Sequence, residues 1–161
     1  MMMGAPGSGK STFAKTHMVP HIEEYISRDE VRFSIVNEDE EYFSKEDEVF
    51  RQYVNKISRA LAYGATVWAD ATHLNVKSRL KLLNALTFAP DEIEIIYINT
   101  SLEDTLDQNE KRFGTRAFVP ESAVIRMWRS IQEPEFHEGN WTYNKIYIVE
   151  KDKPIIVKVE G

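Results

Sequence analysis

Between residues 45 and 63 the apolar positions Val49, Phe50, Tyr53, Val54, Ile57, Ala60 and Leu61 fall three and four apart, the spacing that lines one face of a helix. Gly64 stands where such a helix stops. Shorter apolar runs at residues 1–3, 24–27, 66–69 and 93–98 read as strands, the third ending at Asp70. Helices are predicted to begin at Ser11, near Asp29 and at Val76, the last with Leu80, Leu83 and Leu86 turned inward. Ser101, with Asp104 three residues on, caps a further helix reaching about Arg112, and Pro120 opens the helical periodicity of residues 122–132. Residues 145–149 and 155–159 alternate as paired strands across Asp152-Lys153-Pro154. Strands alternating with helices in this order predict an α/β fold, a parallel sheet of about five strands with helices on both faces and a C-terminal hairpin.

The first interval between strand and helix carries its own chemistry. Gly4-Ala5-Pro6-Gly7-Ser8-Gly9-Lys10-Ser11-Thr12 matches the pattern G-x-x-x-x-G-K-[ST] of a phosphate-binding loop. Glycines let consecutive backbone N–H groups converge on phosphate oxygens, and the helix that follows favours an anion at its N-terminus. Gly4, Gly7, Ser8, Gly9, Lys10, Ser11 and Thr12 are therefore expected to bind ATP or another nucleoside triphosphate. Lys10 reaches the β/γ-phosphates in this reading, and Ser11 holds Mg²⁺. With this loop the predicted architecture becomes a P-loop kinase-type sheet, in which ligands sit at the carboxyl ends of the strands.

Composition narrows the class. A chain of 161 residues, 42% hydrophobic and 29% charged, is expected to form one domain over residues 1–161. No apolar run approaches the roughly 20 residues that span a bilayer, and no signal peptide is seen. A cytoplasmic protein is expected, in a host cell's cytoplasm if phage-encoded, with no membrane partner and no oligomer predicted. The absence of cysteine excludes disulfides and thiolate metal sites and leaves Mg²⁺ on oxygen ligands. Net charge is −6, and residues 38–48, with seven acids and one base, carry all of it. That stretch reads as a solvated connection, or as a device excluding wrong acceptors. No strongly basic duplex-binding surface is present, so a polynucleotide would be gripped over a few nucleotides.

Two strand ends supply acceptor chemistry. Asp29 and Arg32, three apart on one helix, project from the same face. A carboxylate there can orient an attacking hydroxyl and take its proton, and a guanidinium can clamp a neighbouring phosphate; the plainer reading is a helix cap with an exposed partner. Asp70, closing an apolar strand ahead of Ala71-Thr72-His73, stands where P-loop proteins place an acid that orients Mg²⁺ or acceptor groups. Lys111-Arg112-Phe113-Gly114-Thr115-Arg116 falls between two helices, and a lid over about residues 111–120 would bring Arg112 or Arg116 over the triphosphate as a catalytic arginine. Both also read as surface arginines at a helix C-terminus. Trp68, Trp128 and Trp141 read as core or rim residues rather than as base-stacking platforms.

Four segments together resemble the phage-type polynucleotide 5′-hydroxyl kinases: residues 4–12, Ser27-Arg28-Asp29-Glu30-Val31-Arg32, Asp70-Ala71-Thr72-His73-Leu74-Asn75, and residues 111–120. The resemblance runs to about Gln132 and implies ATP and Mg²⁺ served by Lys10 and Ser11, Asp29 as general base and Arg32 on the acceptor's 3′-phosphate. It further implies Asp70, with Thr72, on the acceptor side and Arg112 as lid arginine. Phe113 and Phe118 lengthen the arginine-bearing stretch relative to the family, which leaves the lid role open to Arg116. No Asp-x-Asp-x-Thr phosphatase motif occurs, so 3′-phosphate repair is not predicted. The expected function is transfer of the γ-phosphate to the 5′-hydroxyl of single-stranded or short DNA or RNA ends. A small-molecule or nucleotide kinase of the same fold, and a non-catalytic ATP-binding switch, are the alternatives.

Overall fold

A computed structural model describes residues 1–161. The strands are β1 (Met2–Met3), β2 (Glu24–Ser27), β3 (Val67–Asp70), β4 (Glu94–Ile98), β5 (His137–Glu138), β6 (Trp141–Thr142), β7 (Lys145–Val149) and β8 (Ile156–Val159). The helices are α1 (Lys10–His17), α2 (Arg28–Ile35), α3 (Glu46–Ala62), α4 (Val76–Ala85), α5 (Leu102–Glu110) and α6 (Glu121–Arg129). One sheet has the order β1-β4-β7-β8, with β8 antiparallel to β7 as the alternation predicts and the other pairs parallel. β2 and β3 form a second parallel pair.

The ladder breaks between β3 and β1 because β1 spans only two residues. There the Gly4 N–H donates to the Thr72 carbonyl at 3.0 Å, and the His73 ring reaches the Met2 carbonyl at 2.6 Å. Methionines 2 and 3 are nonetheless fully buried and face opposite sides, Met2 with Ala14 and Ile98, Met3 with Leu83, Ile95 and Tyr97. α1 covers the first face; α3 and α4 cover the second, where Tyr53, Val54, Ile57 and Leu82 pack on Ile26 and Ala69. This is the α/β architecture of P-loop kinases, and it brings the loop after β1 and the ends of β2 and β3 to one edge. No helix is long and apolar enough to cross a membrane.

The register of α4 differs from the expected one. Leu82 and Leu83 are buried while Leu80 and Leu86 are only partly so, and the most enclosed position is Arg79, at 0% exposure. Its guanidinium donates to Glu138 through Nε at 2.9 Å and Nη2 at 2.7 Å, to the His73 carbonyl at 3.0 Å and to the Gln132 carbonyl at 3.1 Å. Glu138 also accepts from the Tyr143 hydroxyl at 2.7 Å. Burial opposes ionisation of Glu138, but the bonds from Arg79 and Tyr143 outweigh it and hold the carboxyl below its ordinary value. The pair ties α4 to the short β5-β6 hairpin, whose two-residue strands carry no pattern a sequence could reveal.

His73 is buried beside this hub. Its Nδ1 faces a carbonyl, so Nδ1 carries the proton and Nε2 accepts from the Tyr53 hydroxyl at 3.4 Å. Burial drives the imidazole down to about 3 from an ordinary 6.5, so the folded chain keeps it neutral where the unfolded chain protonates it. Stability is thus full above about pH 6.5 and is lost as the pH falls from there toward 3, at up to about 1.4 kcal/mol per pH unit. Urea unfolding between pH 6.5 and 5 should show this slope. His73→Gln should flatten it, and an equal slope in both proteins would contradict the assignment.

Candidate active site

The loop from Gly4 to Thr12 leaves β1 and enters α1 with no residue to spare. A Cβ at Gly4 would lie 2.7 Å from Ser8 Oγ and 3.0 Å from the Ile98 carbonyl, so only glycine fits under the turn. Gly9 precedes α1 at φ 96°, with no side-chain cap and no acid in the first turn of the helix. The amides there remain available to an anion. Ser8 Oγ is buried with no hydrogen-bond partner, a second donor in the same cradle. Lys10 is buried and folds back to donate to the Ala5 carbonyl at 2.9 Å. Burial pushes its ammonium below the ordinary value, against the pull of Asp70 and Asp29. Free N–H groups, an orphaned hydroxyl and a movable ammonium fit a triphosphate.

Asp70 closes β3 in the position its sequence predicts and is 4% exposed. Its Oδ2 accepts from Ser11 Oγ at 2.7 Å and from the Tyr25 hydroxyl. Ser11 and Asp70 therefore offer two hard oxygens side by side, which suits Mg²⁺ completed by phosphate oxygens and water. No cluster of three or more His, Cys, Asp or Glu side chains builds a metal cage elsewhere.

The opposite wall is α2. Ser27 caps it, accepting from the Glu30 N–H at 3.2 Å, and so fixes where Asp29 and Arg32 emerge. Asp29 Oδ1 accepts from Arg32 Nη1 and, at 2.5 Å, from the Tyr42 hydroxyl, while Oδ2 has no protein partner. Arg32 is 5% exposed; its Nε donates to Glu46 at 2.8 Å, its Nη1 also reaches Tyr42 at 2.7 Å, and its Nη2 is unpartnered. Arg28 donates to the second oxygen of Glu46 at 3.0 Å, and its Nε is buried without a partner. Lys10, Ser11, Asp29, Arg32, Asp70, Thr72 and Arg112 all line one cleft of about 140 Å³. A larger hollow of about 640 Å³, around Met1, Leu86 and Ile93, lies at the amino ends of the strands, away from this chemistry.

Four expected site residues do not line the cleft: Gly4 and Ser8, which lie within the turn of the loop, and Thr12 and Arg116. Thr12 is exposed on α1, where its carbonyl accepts from Thr16 Oγ at 2.7 Å. Arg116 donates to the carbonyls of Phe33 and Val36 at the end of α2 and stacks over the Phe33 ring, so of the two lid arginines only Arg112 lines the cleft. The three tryptophan N–H groups are each committed within the protein, to Glu23, Thr100 and Asn84. Conversely, Arg28, Tyr42 and Phe43 line the cleft and Glu46 backs its two arginines, although the last three come from the acidic stretch, which reads as a solvated connection. The one signal for them is that aromatic residues interrupt that acidic run.

Comparison with known proteins supports the fold that carries this cleft. The family model described as an AAA domain matches residues 1–134. Among solved structures, a chain of the Pnkp1/Rnl/Hen1 RNA repair complex superposes with a TM-score of 0.66 at 24% identity, over 80% of this chain and 42% of that one. A gluconokinase from Sinorhizobium meliloti 1021 gives 0.62 at 20% identity, over 95% and 82%. The Mycobacterium tuberculosis APS kinase CysC, in complex with AMPPNP and APS, gives 0.59 at 18% identity, over 95% and 87%. The chain thus spans less than half of the repair-complex chain and most of the two kinases, and shares the P-loop kinase fold with all three.

Proposed function

The chain belongs to the AAA domain family, and from that premise we propose that it is an ATP-dependent kinase phosphorylating the 5′-hydroxyl of DNA or RNA ends. One observation carries the reading: Lys10, which serves a donor phosphate, and Asp29, with a free carboxylate oxygen, face the same small cleft. The Gly4–Ser11 backbone and Lys10 bind the triphosphate, and Ser11 with Asp70 would hold Mg²⁺. The metal supplies neutralisation of phosphate charge. Asp29 Oδ2 orients the acceptor hydroxyl and takes its proton as that oxygen bonds the γ-phosphorus and the bond to the β–γ bridging oxygen breaks, ADP leaving. Arg112, on a lid over about residues 111–120, offsets charge on the transferring phosphoryl group.

A polynucleotide acceptor is supported by donors that nothing in the protein satisfies. Arg32 Nη2 and Arg28 Nε, beside Asp29, suit a phosphate one linkage from the reacting hydroxyl. Phe43 lines the same cleft, is 42% exposed, and is braced edge-on by Tyr42 at 4.6 Å, as a stacking surface for a base would be. Stacking on an aromatic is worth about 1–3 kcal/mol per base, so Phe43→Ala should raise KM for a 5′-hydroxyl oligonucleotide about 10-fold and leave KM for ATP unchanged. Equal effects on both would remove Phe43 from the acceptor site.

A small-molecule acceptor is the second reading, favoured by the near-complete overlap with the gluconokinase and by Glu46, which occupies one edge of both cleft arginines. Transfer of labelled γ-phosphate to oligonucleotides, nucleoside 3′-monophosphates and sugars separates the two. Oligonucleotides should be the best acceptors. A sugar preferred over every nucleotide would replace this function, and no transfer to any acceptor would leave a nucleotide-binding switch.

A further inference from the structure

Arg116 is exposed yet makes three contacts with one helix end. Its Nη1 donates to the Phe33 carbonyl at 3.3 Å, its Nη2 to the Val36 carbonyl, and its guanidinium carbon lies 4.7 Å from the centre of the Phe33 ring. Those carbonyls belong to the last turn of α2, where backbone acceptors are left over and a cation is favoured. Phe33 meets Tyr42 edge-on at 6.4 Å between ring centres, and the Tyr42 hydroxyl bonds Asp29 at 2.5 Å. Three contacts therefore lead from Arg116 to the carboxylate of the acceptor wall. Four residues earlier, the same loop places Arg112 in the cleft opposite Lys10 and Ser11. The foot of the loop is held by the buried Asn109 side chain, which brackets Val119 by donating to its carbonyl at 2.6 Å and accepting from its N–H at 3.1 Å.

We propose that Arg116 is a positioning residue that couples the two substrates: it joins the loop covering the nucleotide to the helix carrying Asp29, so that binding at one wall sets the other. A plain surface arginine would engage a carboxylate or water; this one fastens two carbonyls and a ring of one element, which ties movement of the loop to movement of α2. The inference rests on the phosphotransferase reading but not on the nature of the acceptor.

Hydrogen exchange of the amides of residues 30–37 tests it, with and without a saturating non-hydrolysable ATP analogue and Mg²⁺. Couplings between sites run from about 5- to 150-fold, so the nucleotide should slow exchange in the unaltered chain about 5-fold or more, and less than about 2-fold in Arg116→Ala. Arg116→Lys keeps the charge without the fork or the stacking and should fall between them. In steady state Arg116→Ala should raise KM for the acceptor at saturating ATP about 10-fold, within the range of such couplings, and KM for ATP at saturating acceptor by a similar factor, since a coupling between two sites is reciprocal. Unslowed exchange in the unaltered chain, or equal slowing in Arg116→Ala, overturns the coupling. A fall in kcat with both KM values unchanged overturns it too, since that places the guanidinium on the transferring phosphoryl group. If oligonucleotides prove not to be acceptors while the exchange difference holds, the substrate assignment fails and the coupling stands.

Discussion

Asp29→Ala is expected to lower kcat about 10³-fold while ATP affinity stays within about two-fold, because general-base assistance is worth roughly 10² to 10⁴ and the carboxylate touches nothing in the phosphate loop. The alanine variant removes two things at once. It takes away the proposed proton acceptor, and it frees Arg32 Nη1 and the Tyr42 hydroxyl, which Asp29 Oδ1 holds. Asp29→Asn separates them. The amide oxygen still accepts from Arg32 and Tyr42, but the side chain no longer takes a proton. Both variants should therefore lose kcat alike, with acceptor KM rising only in the alanine protein. Titration calorimetry with an ATP analogue and steady-state kinetics on the best acceptor check the pair of outcomes. If Asp29→Asn keeps nearly full turnover, or if ATP affinity falls as far as kcat, Asp29 is not the base.

The second large effect concerns stability. Arg79→Met should destabilise the fold by about 3–5 kcal/mol, the usual result of removing one member of a buried ion pair. The side chains of Arg79 and Glu138 are 0% and 2% exposed, so the carboxylate that remains has little access to solvent. The His73 and Gln132 carbonyls lose their donor as well. Arg79→Met combined with Glu138→Met removes both charges together, and replacing a whole buried pair by apolar groups is often close to neutral. The double variant should recover much of the loss, short of full recovery because the Tyr143 hydroxyl is left without its acceptor. Chemical denaturation of the three proteins decides it. A single variant within about 1 kcal/mol of the parent, well under the range for such pairs, would mean that the hub bears little of the fold's stability.

These two sites differ in how much of them a sequence can reveal. Lys10 and Ser11 were predictable from local spacing, since a phosphate loop is built from consecutive backbone groups. Asp29 with Arg32, and Asp70 at the end of β3, were accessible because helix spacing and strand ends carry direction. Tyr42, Phe43 and Glu46 were not, because their relation to α2 depends on how the acidic connection folds back over Arg32, and nothing local encodes that. Arg79 and Glu138 lie 59 residues apart, and an arginine on an amphipathic helix looks like a surface residue until its partner is known. The same blind spot gave α4 its wrong inward face, Leu80 in place of Leu82. Alternation found the β7-β8 hairpin, yet it does not tell a covered strand from an open one, and every residue of β8 is exposed.

The Asn109 clasp on Val119 has an evolutionary consequence. By bonding both backbone groups of a residue ten positions on, one side chain closes a small ring whose interior owes little to the sheet beneath. Lengthening such a ring is cheap, since each doubling adds only about 0.6 kcal/mol of closure entropy. Residues between the two ends, apart from Arg112 in the cleft and Arg116 on α2, can be exchanged while the hydrophobic layers stay intact. The loop can thus change without refolding the chain, provided its two ends and those two arginines are kept.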